Sequence, residues 1–236
     1  MRIGGFQKVS LMDYPGRVSS IVFTMGCNFR CPFCYVPNLV LPERFRGAEG
    51  IPPSAVFSYL DSHKGLIDAV VVTGGEPTMQ ADLPDFLRKV KERGLLAGIE
   101  TQGSNTLMLE SLLSAGLVDY IGMDIKNALE FDDYNLATGG MLSKQLFDNV
   151  KKSIALVRES GIEHEFRTTV AKGIHTPESI GRLCRYIRGE ERYFLQNFRT
   201  GVETIGNGNA SLSPFSQGEL DAILSEARKY VNAALR

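Results

Sequence analysis

Ser20-Ile-Val-Phe-Thr-Met25 runs through Gly26 straight into Cys27-Asn-Phe-Arg-Cys31-Pro-Phe-Cys34. The first six residues, with Ile21-Val22-Phe23 at their centre, have the apolar, β-rich composition of a buried strand. The eight-residue stretch from Cys27 to Cys34 holds three of the chain's four cysteines. Soft thiolates gathered this closely favour zinc, copper(I) or an iron–sulfur cluster over a disulfide framework. A closed structural zinc site takes four ligands. Three leave one position for chemistry.

Outward from this stretch, strand-like and helix-like segments alternate. Further apolar runs lie at Ala69–Thr73, Leu95–Thr101, Tyr120–Ile125, Glu165–Val170 and Tyr193–Leu195. The clearest helical pattern is Ser143–Glu159, where Leu146, Val150 and Ile154 recur every fourth residue, flanked by Phe147 and Val157. Thr176-Pro177 reads as an N-cap with proline at the first helical position. Ser216 and Glu219 have capping-box spacing before a C-terminal helix expected over about 216–235. Some six β-α repeats, with no linker between them, predict an α/β protein with one parallel sheet. The chain is expected to be one domain over 1–236, a partial (β/α)6 TIM-like barrel, since eight strands need about 250 residues. One side would stay open, which suits a large substrate.

At 236 residues, 43% apolar and 22% charged, the composition is that of an ordinary globular protein. A net charge of −1 gives no reason to expect nucleic-acid or anionic-membrane binding. The first thirty residues lack a signal-peptide pattern, and Ala69–Val72 is too short to span a bilayer. A cytoplasmic protein with reduced thiols is expected. Cys184, in a helix-like stretch, reads as a small buried hydrophobe. His63, His164 and His175 show no ligand spacing and read as ordinary surface or core residues. Two loops, Pro37–Pro53 with four prolines and Arg199–Pro214 with Gly206-Asn-Gly-Asn, read equally well as mobile covers of a site or plain surface loops.

Further polar segments fall where strands end, the place parallel α/β folds reserve for chemistry. They are Thr73-Gly74-Gly75-Glu76-Pro77, Glu100-Thr101-Gln102-Gly103 and Asp124-Ile-Lys126. Each has a bland reading. Gly74-Gly75 could be a strand-to-helix turn, or could let backbone approach a charged ligand. Asp124 and Lys126 could be a surface ion pair. The cysteines could form a zinc knuckle completed by Cys184 or a histidine.

Taken together, Cys27-x3-Cys31-x2-Cys34 with Phe33 before the last cysteine, followed by Gly74-Gly75-Glu76-Pro77, resembles the radical S-adenosylmethionine superfamily. Ser10-Leu-Met-Asp-Tyr-Pro-Gly16, Gly26-Cys27-Asn28, Glu100-Thr101-x-Gly103 and Asp124-x-Lys126 are similar to its small activating enzymes. The nearest resemblance is to the activating proteins of anaerobic ribonucleoside-triphosphate reductase, with pyruvate formate-lyase activase as a relative. The resemblance implies a radical SAM core in which three thiolates bind three irons of a [4Fe–4S] cluster, leaving the fourth to S-adenosylmethionine. It further implies reductive cleavage to a 5′-deoxyadenosyl radical and hydrogen abstraction from a glycine of a partner. By the same resemblance, Gly74, Gly75 and Glu76 face the methionine amino group, and Pro77 belongs to the same cofactor-binding segment. Phe33 faces the adenine, and Asp124 and Lys126 the ribose and carboxylate. Glu100 and Thr101 lie nearby, where some relatives hold a monovalent cation. The implied partners are a glycyl-radical enzyme and a flavodoxin- or ferredoxin-type electron donor, under anaerobic conditions. The chain departs from the activating enzymes in having Tyr35-Val36 after the last cysteine. It also has Leu195-Gln196-Asn197-Phe198 where one branch has a nucleoside-contacting histidine, so Gln196 or Asn197 would supply that contact. Two other readings stay open: a small-molecule enzyme related to 7-carboxy-7-deazaguanine synthase, and a zinc-stabilised binding module.

Overall fold

Among the described residues, eight strands form one sheet in the order of the sequence. The computed structural model describes residues 1–206 and 212–236. The strands are β1 (Ile3–Ser10), β2 (Ser19–Thr24), β3 (Ala69–Gly74), β4 (Leu96–Thr101), β5 (Tyr120–Asp124), β6 (Glu163–Val170), β7 (Arg192–Asn197) and β8 (Asn232–Leu235). β1 pairs antiparallel with β2, while β2 to β8 are mutually parallel. Parallel pairing needs crossovers, and helices supply them. β2 leads through α1 (Pro37–Val40), α2 (Pro42–Phe45) and α3 (Pro53–Ser62) to β3. The later crossovers are α4 (Leu83–Lys91), α5 (Thr106–Ser114), α6 (Phe131–Ala137) with α7 (Lys144–Glu159), α8 (Pro177–Tyr186) and α9 (Gln217–Ala227). β2 to β7, each followed by helix, make the six β/α units of a partial barrel, with β1 and β8 at its two edges.

Alternation divides the side chains between two layers. Val22, Val70, Val72, Ala97, Ile99, Ile121 and Met123 join the main core shared with the helices. The intervening Ile21, Ala69, Val71 and Tyr120 form a smaller cluster on the other face, closed by Tyr14, whose ring lies 5.0 Å from that of Tyr120. α7 follows most of its sequence pattern: Phe147, Val150, Ile154 and Val157 are buried, while Leu146 is half-buried against the core. Each such side chain contributes about 1.5–3 kcal/mol of hydrophobic stabilisation. Ser143 caps the helix by accepting from the Leu146 N–H at 3.2 Å. The expected caps at Thr176 and Ser216 are also formed.

Three expectations need correction. The C-terminal helix stops at Ala227, and the chain then turns into β8 rather than staying helical to residue 235. β1 was not expected at all: it is a mostly exposed edge strand interrupted by Gly4 and Gly5, features that blur the strand signal. The loop from Pro37 holds two short helices, each with proline in its first turn. Most of Gly206-Asn-Gly-Asn lies outside the described residues. Among those described, no helix is long and apolar enough to cross a membrane.

Candidate functional site

Gly26 turns the chain out of β2 with φ +97°, a conformation glycine adopts without strain. The loop that follows is held by backbone bonds from several directions. Gly26 N–H donates to Leu39 O at 2.7 Å, Arg30 N–H to Thr138 O at 3.0 Å and Cys34 N–H to Cys31 O at 3.0 Å. Arg30 folds back, its guanidinium donating to the carbonyls of Cys27 (2.7 Å) and Phe29 (2.8 Å). Ile205 and Gly206 donate to Cys34 O (3.1 Å) and Pro32 O (2.9 Å). The part of the second irregular loop nearest the cysteines is thus docked on them.

The glycine pair locks this loop against β3. A Cβ on Gly74 would lie 2.4 Å from Thr24 N, and one on Gly75 would lie 2.0 Å from Gly26 O. Close approach is therefore required, but first by the neighbouring backbone. Gly75 N–H donates to Thr24 O (2.9 Å) and Glu76 N–H to Gly26 O (2.8 Å), so β2–β3 pairing continues beyond the strands. The buried Glu76 carboxylate accepts from Thr78 N–H (3.1 Å), Thr101 hydroxyl (2.6 Å), Gln102 N–H (2.9 Å) and the Thr78 hydroxyl. It joins the ends of β3 and β4, although burial raises its pKa above the ordinary carboxylate value. Pro77 begins the 3₁₀ turn Pro77–Met79 and is buried.

These segments surround a cavity of about 280 Å³ at the carboxyl ends of the strands. Cys27, Cys31, Phe33, Cys34, Gly74, Gly75, Glu76, Glu100, Thr101, Asp124 and Lys126 all line it; Pro77 does not. Lys126 Nζ lies 2.9 Å from Asp124 Oδ2. Burial opposes the ammonium charge, but Asp124 outweighs it and the lysine pKa rises. All four cysteines are free, and burial pushes Cys27 up to about 12, Cys31 to about 11 and Cys34 upward. Cys184 is fully buried in α8 and does not line the cavity. Among the described residues no three His, Cys, Asp or Glu side chains stand close enough, as placed, to grip a metal ion. Three cysteine ligands of a multi-iron cluster would bind different iron atoms, so they need not meet at one point. The donor set suits that role: three unpaired soft sulfurs on one loop, facing one cavity.

Several lining residues escaped the sequence reading. Arg167 carries a buried guanidinium that donates to Glu165 at 2.6 Å, to Tyr120 hydroxyl at 2.9 Å and to Glu100. Burial disfavours its charge, yet Glu100, Tyr120 and Glu165 raise its pKa. A Cβ at position 122 would strike Arg167 Nη2 at 2.4 Å, so Gly122 makes room for it. The signal was present in β6: Glu165, Arg167 and Thr169 are polar at every second position of an otherwise core strand. Asp13, from the segment after β1, also lines the cavity. Of the two amide candidates, Gln196 lines it, whereas Asn197 is spent on Phe215, donating to its carbonyl (2.8 Å) and accepting its N–H (3.0 Å).

The sequence profile of the Radical SAM superfamily matches residues 21–194. A Methanocaldococcus jannaschii protein named as a candidate glycyl-radical enzyme activating enzyme is 27% identical over 232 residues, covering 98% of this chain and 93% of that protein. A 7-carboxy-7-deazaguanine synthase of Rhodospirillum rubrum is 34% identical over 93 residues, 39% of this chain and 36% of the relative. Other curated relatives are matched over 32% to 53% of their own length. A radical SAM methyltransferase from Sphaerobacter thermophilus superposes with a TM-score of 0.69 at 15% identity, covering 95% of this chain and 67% of that structure. That likeness is one of fold.

Proposed function

The chain belongs to the radical SAM superfamily, and from that premise we propose that it is an activase that installs a glycyl radical on a partner enzyme. The partner we favour is an anaerobic ribonucleoside-triphosphate reductase, with a flavodoxin- or ferredoxin-type protein as electron donor. The observation that carries this reading is the near full-length similarity to the Methanocaldococcus jannaschii protein, spanning 98% of this chain.

The family implies a [4Fe–4S] cluster and S-adenosylmethionine. Cys27, Cys31 and Cys34 would hold three irons. When bound, this pair supplies one-electron cleavage of the sulfonium bond and the carbon radical that abstracts hydrogen from glycine. The protein binds, orients and shields. Backbone of Gly74 and Gly75 would border the methionine end, while the Glu76 carboxylate, already occupied by Thr78, Thr101 and Gln102, keeps that border rigid. Lys126 offers a charged donor for a carboxylate, Asp124 an acceptor for ribose hydroxyls, and Phe33 an apolar face for adenine. Arg167 holds Glu100 and completes the wall between β4 and β6. Glu100, held by Arg167, and Thr101, donating to Glu76, would form the wall beside which the resemblance allows a monovalent cation. We take the chain to act as one domain in a reducing compartment, with the open edge between β1 and β8 admitting a protein segment.

A second reading, a small-molecule enzyme akin to 7-carboxy-7-deazaguanine synthase, has the partial Rhodospirillum rubrum match in its favour. Isotope transfer separates the two. With a candidate partner labelled with deuterated glycine, an activase delivers deuterium into 5′-deoxyadenosine. Cleavage without label transfer from any candidate partner would remove the activase reading and leave the superfamily chemistry standing.

A further inference from the structure

Of the three histidines, His175 sits behind the cavity wall, 3% exposed, on the turn between β6 and α8. Both ring nitrogens are engaged by backbone from different elements. Nδ1 accepts the Ala171 N–H at 3.0 Å, which places the ring proton on Nε2. Nε2 therefore donates to Lys126 O, 2.8 Å away. Burial lowers the His175 pKa, so the ring stays neutral and keeps this tautomer near neutral pH. The ring also packs against Phe33, with centroids 5.7 Å apart and planes inclined by 56°.

Phe33 and Lys126 line the same cavity from two unconnected loops. Lys126 is pinned on its other side too, its N–H donating to the Tyr134 hydroxyl at 3.2 Å. From this geometry we infer that His175 is a positioning residue for the adenosyl ligand: it fixes the Lys126 backbone and the Phe33 ring relative to one another without touching the ligand. A space-filling histidine would need neither a defined tautomer nor two partners in separate loops. The inference rests on reading the cavity as the S-adenosylmethionine site.

The test compares four variants of the anaerobically reconstituted protein, His175→Ala serving as the reference for His175→Gln. His175→Phe keeps an aromatic ring against Phe33 but strands the Lys126 carbonyl and the Ala171 N–H. His175→Gln restores an amide donor toward Lys126 without the ring. Lys126→Met tests the cavity reading itself. S-adenosylmethionine affinity is read from the perturbation of the reduced-cluster EPR signal, and S-adenosylhomocysteine affinity by equilibrium dialysis, alongside iron content and melting temperature. Stranding a buried carbonyl should weaken both ligands by about tenfold in His175→Phe, at unchanged iron per chain. His175→Gln should recover most of that loss.

If folded His175→Phe melts lower yet binds within about twofold of wild type, while Lys126→Met binds weakly, His175 is only structural and the inference fails. If His175→Phe does not fold, His175→Gln decides the matter against His175→Ala: equal affinities in those two overturn the proposal. If Lys126→Met leaves both affinities unchanged, the cavity reading falls first and the inference with it.

Discussion

The thiols of Cys27, Cys31 and Cys34 share an environment that opposes ionisation, since burial dominates each of their pKa shifts. Iron bound by these thiols would therefore have to displace protons that burial holds on the sulfurs. Alkylation of Cys31 in the metal-free protein should keep accelerating past about pH 9, where an ordinary thiol is already mostly thiolate. A plateau near that pH would show that the thiol is not held neutral. Cys31→Ala should abolish both the brown cluster absorbance and cofactor cleavage. The cysteine triad was legible because spacing alone displays it. The role of Glu76 was not, because its donors Thr78, Thr101 and Gln102 converge only when β3 and β4 lie side by side. Glu76→Ala leaves several buried donors without an acceptor and should cost about 2–4 kcal/mol, measurable by denaturant unfolding. His175 was read as ordinary for the same reason: neither Lys126 nor Phe33 is near it in the chain.

The elements around the site depend on glycine contacts that a single methyl would break. Gly75→Ala drives a Cβ into the Gly26 carbonyl, backbone against backbone, so the cysteine loop must shift. This variant should lose iron and melt lower than wild type. Gly218→Ala is the matched control: it lies in α9 with open space where the methyl goes, and should be neutral or stabilising by up to about 1 kcal/mol. Equal iron content in the two variants would show that the β2–β3 junction does not govern the loop. The inner strands were legible from apolar runs because a parallel sheet is covered on both faces. β8 was not. Its Asn-Ala-Ala-Leu sequence has no β-branched residue and continues naturally from a helix, and only pairing with β7 makes it a strand.

Across the molecule, a charged ladder crosses the interior between β4 and β8. Glu165 accepts from Arg167 and from both terminal nitrogens of Arg236, and Arg167 passes the chain on to Glu100. Burial alone would raise the Glu165 pKa, but the bonds and charges of Arg236 and Arg167 outweigh it and lower the pKa below its ordinary 4.5. A depressed folded-state pKa stabilises the fold above about pH 4.5, and that contribution is lost as pH falls through the lower folded value. Glu165→Gln leaves two guanidinium groups short of a counter-charge and should cost about 3–5 kcal/mol at pH 7. The gap from wild type should narrow below about pH 4, and a pH-independent gap in melting temperature would contradict the assignment. The ladder lies directly beneath a cavity that gathers three thiols, a glycine turn and an aspartate–lysine pair at one end of an incomplete barrel. The most direct test mixes the reduced, reconstituted protein with S-adenosylmethionine and an anaerobic ribonucleoside-triphosphate reductase and records the EPR spectrum. A glycyl-radical doublet on the reductase, absent with Cys31→Ala, is the expected result. Cofactor cleavage with no radical on that reductase or any other glycyl-radical enzyme would contradict the activase assignment.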